Sequence, residues 1–179
     1  MSINLRQHKI NSIIRNESKF GYSISPIQYK MMKFYKDNRR CVINAPRQSG
    51  KSTFLIMQAL LSNNDTIIIH DTLNMAKLNK TEMHNFCLIN NIQHKVFSTH
   101  ILLEKTNTIV KFITKNEAIS NLYGYSGNVF IDEYQFIDIN KFNLSKIDYC
   151  IMIGTHKLNE YEFEPDGNGL FAGLNITEG

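Results

Sequence analysis

Residues 41–61 read CVINAPRQSGKSTFLIMQALL, and the fold turns on how this stretch divides. Cys41 to Ile43 is short, apolar and partly β-branched, the composition of a buried strand. Phe54 to Leu61 is apolar at nearly every position and long enough for a buried helix. Between them lies APRQSGKS, Ala45 to Ser52, which fits the phosphate-binding pattern G-x-x-x-x-G-K-[ST] except that Ala45 stands in place of the first glycine. Strand, loop and helix in that order bring the backbone N–H groups of Gln48, Ser49, Gly50, Lys51 and Ser52 to a helix N-terminus, where aligned peptide dipoles favour an anion. Gly50 lets the backbone approach phosphate closely, Lys51 reaches the β- and γ-phosphate oxygens, and the Ser52 hydroxyl coordinates Mg2+. Thr53, next on the helix, closes the expected nucleotide-binding run. A chance Gly-Lys-Ser in a loop is the competing account, and the flanking strand and helix argue against it.

Outward from this stretch the strand-helix order repeats. Thr66 to Ile69 is a second buried strand, and from Leu73 onward Met75, Ala76, Met83, Phe86 and Cys87 are expected along one helical face. Such alternation predicts an α/β fold with a central, mostly parallel sheet flanked by helices. Upstream, Ser25 and Pro26 open a helix that ends before Arg39, with Ile27, Met31, Phe34 and Tyr35 as its apolar stripe. Downstream, Val96 to Leu103 and Thr108 to Ile113 read as strands around a turn at Lys105 to Asn107, followed by a short helical piece from Glu117 to Leu122. Two further strands, Val129 to Ile131 and Tyr149 to Ile153, stop at Asp132 and at Gly154-Thr155. In open α/β sheets ligands gather at the carboxyl ends of strands, so endings in APRQSGKS, Asp-Glu and Gly-Thr point to one site. The tail from Glu162, with Pro165 and several glycines, reads as loop.

The second chemical signal is NVFIDE, Asn128 to Glu133, in which a buried strand delivers two carboxylates at its end. Paired with the phosphate loop, Asp132 suits the magnesium ion, directly or through water, and Glu133 suits the base that polarises an attacking water. Taken alone, such a pair also fits a strand end with two solvated acids. Together the motifs predict an ATPase using ATP and Mg2+, with Lys51 and Glu133 catalytic.

Composition bounds the alternatives. A chain of 179 residues suits one compact domain, and 42% hydrophobic against 20% charged residues is a globular rather than a disordered balance. A net charge of +4 permits nucleic-acid contact without defining a basic face. Arg6, His8, Lys9, Arg15 and Lys19 make the start basic, which suits either a phosphate-contacting arm or a solvated helix face. Cys41, Cys87 and Cys150 are isolated among apolar neighbours and read as core thiols, while His70, His84, His94 and His100 lack metal-ligand spacing and read as structural or surface residues. No apolar run reaches the length of a membrane span, and the start lacks the apolar block of a signal peptide.

From Ser25 to Lys157 the chain resembles the large terminase subunits of tailed phages and herpesviruses, the ATPases that package viral DNA. Their phosphate loop carries Arg-Gln ahead of Gly-Lys-[Ser/Thr], matched by Arg47 and Gln48. The resemblance implies that Arg47 senses or stabilises the γ-phosphate, a role that its guanidinium fork suits. It also places an adenine-reading glutamine in the helix before the first strand, where SPIQYKMMKFY has Gln28; Ser25 and Gln28 also satisfy the spacing of a helix capping box. YGYSGNVFIDEYQFID looks like the stretch leading into the family's metal-binding strand, with Tyr134 where alanine is more usual, and IMIGTHK supplies a coupling threonine, Thr155. Asp71 with the helix containing Ala76 and Lys77 resembles a segment that faces DNA in related helicase-like ATPases.

The implied fold is a P-loop NTPase of the RecA/ASCE type, in a single domain with an N-terminal arm or helix at 1–24, a motor core at 25–157 and an extension at 158–179. The implied partners are double-stranded viral DNA, a portal protein, a small terminase subunit and further copies in a ring, in the cytoplasm of the infected host cell. The length leaves no room for the nuclease domain that large terminases usually add, which implies a separate nuclease chain, a split product or a protein cut to its motor. A helicase-like DNA-dependent ATPase shares the early Gln, the loop and the acidic pair. A catalytically silent nucleotide-binding assembly module, with Ala45 and Tyr134 as marks of decay, is the reading from outside enzymes.

Overall fold

The computed structural model describes residues 24–147, 149–155 and 171–177. The basic segment from Arg6 to Lys19, and Glu162 and Pro165, lie outside the described residues. Eight strands form one sheet: β1 (Arg40–Asn44), β2 (Thr66–His70), β3 (His94–Val96), β4 (His100–Leu103), β5 (Thr108–Thr114), β6 (Asn128–Ile131), β7 (Cys150–Gly154) and β8 (Ala172–Asn175). Their order is β3-β4-β5-β2-β6-β7-β1-β8. The pairings from β5 across to β8 are parallel, and β3 and β4 add an antiparallel flank.

Strand side chains alternate between two cores, one on each face. Cys41, Ile43, Ile68, Phe130, Ile151 and Ile153 join one cluster, while Val42, Ile67, Ile69, Val129, Ile131 and Met152 join the other. β2, TIIIH, is buried at all five positions because both faces are covered. Each of its isoleucines contributes about 1.5–3 kcal/mol by leaving water, which fixes this run at the centre of the sheet.

Three helices supply the first core: α1 (Pro26–Asp37), α2 (Lys51–Leu61) and α3 (Leu73–Ile89), whereas α4 (Lys115–Asn121) covers the second through Ala118. Tyr35 is fully buried where α1 meets the sheet, and its ring lies edge-on to Phe54, Phe130 and Tyr149 at centroid distances of 6.5, 6.3 and 6.2 Å. These contacts tie α1 to α2 and to β6, so that the start of α1 is held over the phosphate loop.

Three sequence expectations are corrected. Val96 to Leu103 is not one strand: the Phe97 N–H donates to His100 O at 2.9 Å, closing a tight turn between β3 and β4. The buried face of α3 is Ala76, Asn79, Met83 and Cys87; Met75 is exposed and Phe86 half-buried. The tail contributes β8, which pairs with β1 from Cys41 opposite Ala172 to Asn44 opposite Asn175. The cysteines are free and buried, and burial pushes the Cys87 thiol up to about 11 and Cys150 up to about 12, so both stay protonated at neutral pH. Among the described residues no helix is long and apolar enough to cross a membrane.

Candidate active site

β1, β2, β6 and β7 run parallel, so Ala45, Asp71, Asp132 and Thr155 all emerge at the same edge of the sheet. β7 lies between β1 and β6, which places Thr155 between the phosphate loop and the acidic pair. The loop turns through two left-handed residues, Gln48 at φ +58° and Gly50 at φ +78°, and α2 begins at Lys51. Left-handed backbone costs an L-residue with a Cβ about 1–2 kcal/mol, which glycine avoids. A Cβ on Gly50 would also stand 2.2 Å from Gln28 Nε2.

That contact shows where Gln28 points. Its Nε2 donates to Gly50 O at 3.0 Å, and its Oε1 accepts from the Ser25 N–H at 3.0 Å while the Ser25 hydroxyl accepts from the Gln28 N–H at 3.2 Å. The capping box is therefore formed, and the same 1%-exposed carboxamide also braces the phosphate loop.

The Lys51 Nζ donates to Pro46 O at 2.8 Å and Ala45 O at 3.3 Å, and lies 3.7 Å from Glu133 Oε1. Burial holds its ammonium below the ordinary lysine range, against the opposing pull of the Glu133 and Asp132 carboxylates. On the next residue, Ser52 Oγ donates to Asp132 Oδ2 at 3.0 Å. Two residues eighty positions apart in sequence thus meet where the motifs require a shared metal. Asp132 is 2% exposed, and its other oxygen, Oδ1, is buried with no hydrogen-bond partner among the described residues. A serine hydroxyl against one oxygen of a buried carboxylate whose other oxygen is unpartnered among the described residues is a hard-oxygen donor set that fits Mg2+.

Glu133 sits in a left-handed conformation at φ +50°, an uncommon state for a non-glycine residue and one that recurs at functional sites. Its Oε2 accepts from Gln135 Nε2 at 2.5 Å and from Thr155 Oγ1 at 3.4 Å, and Gln135 Nε2 also donates to Thr155 Oγ1 at 2.9 Å. A Cβ on Gly154 would come within 2.6 Å of Gln135 Oε1 and 2.7 Å of Tyr134 Cε1, which explains why a small residue ends β7. The Tyr134 hydroxyl donates to Asn44 Oδ1 at 3.2 Å, so the departure from alanine there adds a tie to β1.

The fold therefore brings Gln28, Gly50, Lys51, Ser52, Asp132, Glu133 and Thr155 into one connected cluster. Gln48 and Arg47 are exposed on the loop, Arg47 without an ion pair among the described residues, while Thr53 is half-buried in the first turn of α2. Ser49 Oγ is buried without a partner among the described residues. Sequence reasoning missed Asn79, Gln135 and the position of His70. A signal for Asn79 existed: it falls three residues after Ala76 and four before Met83, a polar residue on a buried stripe. His70 closes an otherwise apolar strand, which marks a strand end but not its contacts.

These features together are those of the RecA-type P-loop nucleoside triphosphatase fold, with helices around a mostly parallel sheet. Within that fold the chain is similar to the ATPase domain of the Thermus phage P74-26 large terminase, with a TM-score of 0.66 and 13% identity over 90% of this chain and 84% of that one. It is also similar to the large terminase of bacteriophage HK97, with a TM-score of 0.55 and 12% identity over 74% of this chain and 33% of that one. The UvsW helicase of bacteriophage T4 gives 0.57 and 14% identity, over 86% of this chain and 60% of that one. No protein-family profile and no curated protein sequence matches the chain.

Proposed function

We propose that this chain is the ATP-hydrolysing motor domain of a viral DNA-packaging terminase. The observation that carries the reading is the 3.0 Å contact between Ser52 and Asp132, with Glu133 beside Lys51, on a loop that also bears the Arg47-Gln48 pair. Likeness to two phage terminases supports the choice of motor.

In this reading the backbone N–H groups of residues 48–52 hold the phosphates, and Lys51 exchanges its loop carbonyls for β- and γ-phosphate oxygens. Ser52 and Asp132 would hold Mg2+, which when bound would neutralise phosphate charge. Glu133 orients and deprotonates a water in line with the γ-phosphorus, and Arg47 places its guanidinium on the transferring group. Gln28 reads the adenine from the helix start while bracing Gly50. Thr155, hydrogen-bonded through Gln135 to Glu133, passes the state of the nucleotide to a surface that grips duplex DNA. The proposed partners are that DNA, the portal, the small subunit and further copies arranged as a ring.

The test is ATP turnover by the purified chain in Mg2+, with and without duplex DNA and portal. Hydrolysis that duplex DNA stimulates supports the motor, and Mg2+-dependent ATP binding without hydrolysis under any of these conditions overturns it in favour of a silent module. The likeness to UvsW favours one other reading, a helicase-like ATPase, which separation of forked DNA strands without portal would establish.

Arg47→Ala checks the assigned transition-state role. Because Arg47 is exposed, its charge-assisted bonds are screened, and loss of about 1.4 kcal/mol, a tenfold fall in kcat, is expected with a smaller change in ATP affinity. Equal loss of both in steady-state kinetics and direct binding would make Arg47 a ground-state ligand instead.

A further inference from the structure

Asp132 Oδ2 and Oδ1 stand in opposite situations. Oδ2 accepts from Ser52 Oγ at 3.0 Å and from Asn79 Nδ2 at 3.1 Å, and Oδ1 accepts from nothing among the described residues. Asn79 is 3% exposed and projects from α3, whose other buried side chains are Ala76, Met83 and Cys87. An amide on such a face loses its hydration, and the cost is recovered only through specific partners. Its Nδ2 has two: Asp132 Oδ2, and His70 Nδ1 at 3.3 Å.

The second partner constrains the first. With both Nδ2 hydrogens donated, His70 Nδ1 is assigned as the acceptor, so the imidazole contributes no donor to Asp132 although Nδ1 lies 3.6 Å from Oδ2. His70 is itself 1% exposed and stacked on Phe112, with centroids 6.3 Å apart and an interplanar angle of 6°. A buried chain therefore runs from Phe112 through His70 and Asn79 to the carboxylate, fixing the Asn79 amide in rotation and, through it, the rotation of Asp132. One carboxylate oxygen is engaged by protein donors and the other is buried without a partner among the described residues.

We infer that Asn79 is a positioning residue for the metal of this site, acting by holding the Asp132 carboxylate in one rotation beside Ser52, with His70 setting the orientation of the Asn79 amide. The inference rests on the assignment of Ser52 and Asp132 as the Mg2+ site. Groups that orient a metal ligand from behind are commonly worth about 10–100-fold in metal affinity.

The experiment measures Mn2+ binding to the ADP-loaded protein by electron paramagnetic resonance, in the parent, in Asn79→Ala and in Asn79→Met, which fills the volume without a donor. ADP affinity in EDTA and thermal melting are recorded alongside. The expected result is a rise of about tenfold in half-saturating Mn2+ in both folded variants, with metal-free ADP affinity within about twofold of the parent. Variants that bind Mn2+ as the parent does overturn the inference and leave the Ser52-Asp132 assignment standing. Failure of both variants to fold also overturns it, since Asn79 would then be supporting the domain rather than the carboxylate. A parent that binds ADP but no Mn2+ overturns the assignment itself.

Discussion

Glu133→Gln is expected to bind ATP and Mg2+ as the parent does and to turn over at about a hundredth of its rate or less. A positioned general base contributes roughly 10²–10⁴-fold, and glutamine keeps the shape of the side chain while removing its basicity. The surroundings favour a clean result. Glu133 Oε2 accepts from Gln135 and Thr155, and the glutamine oxygen can accept the same two bonds, while the amide nitrogen takes the place of Oε1 3.7 Å from Lys51 Nζ, which loses that ion pair and keeps its loop carbonyls. The check pairs single-turnover hydrolysis with equilibrium binding of a fluorescent ATP. Near-parental hydrolysis would remove Glu133 from the mechanism and leave the base to be found elsewhere.

Gly50→Ala acts on binding instead. The added Cβ meets the φ of +78° and the Gln28 amide nitrogen at 2.2 Å, and that amide cannot swing aside without breaking the capping box at Ser25. Left-handed strain of about 1–2 kcal/mol and overpacking of about 1–3 kcal/mol together amount to roughly a thirtyfold loss of nucleotide affinity at the low end of both ranges. Calorimetric titration with ATP measures it. Parental affinity in this variant would mean that the loop has another conformation in solution.

The residues carrying chemistry were legible because each is tied to a local pattern. The loop is contiguous, the acids follow an apolar strand directly, and Gly-Thr closes another, so strand ends alone gather them. The structure shows the capping box formed at Ser25, which needs only a three-residue spacing. What was not legible depends on partners far away in sequence. AGLN has weak strand composition, and it becomes β8 because β1 offers an unpaired row of backbone groups, extended by the Ile176 N–H donating to Asn44 O at 2.8 Å. The run VFSTHILL looks continuous by composition, yet the turn at 97–99 folds it back on itself. Asn79 and His70 gain meaning only from Asp132, which lies fifty-three residues beyond Asn79.

The strand that feeds the phosphate loop is interior only because β8 covers it. A chain shortened ahead of Ala172 would retain every motif discussed above while baring the main-chain donors and acceptors of Cys41 to Asn44. Such a margin recruits a strand from a neighbouring molecule, so the trimmed protein is expected to self-associate and precipitate at concentrations where the full one stays dispersed.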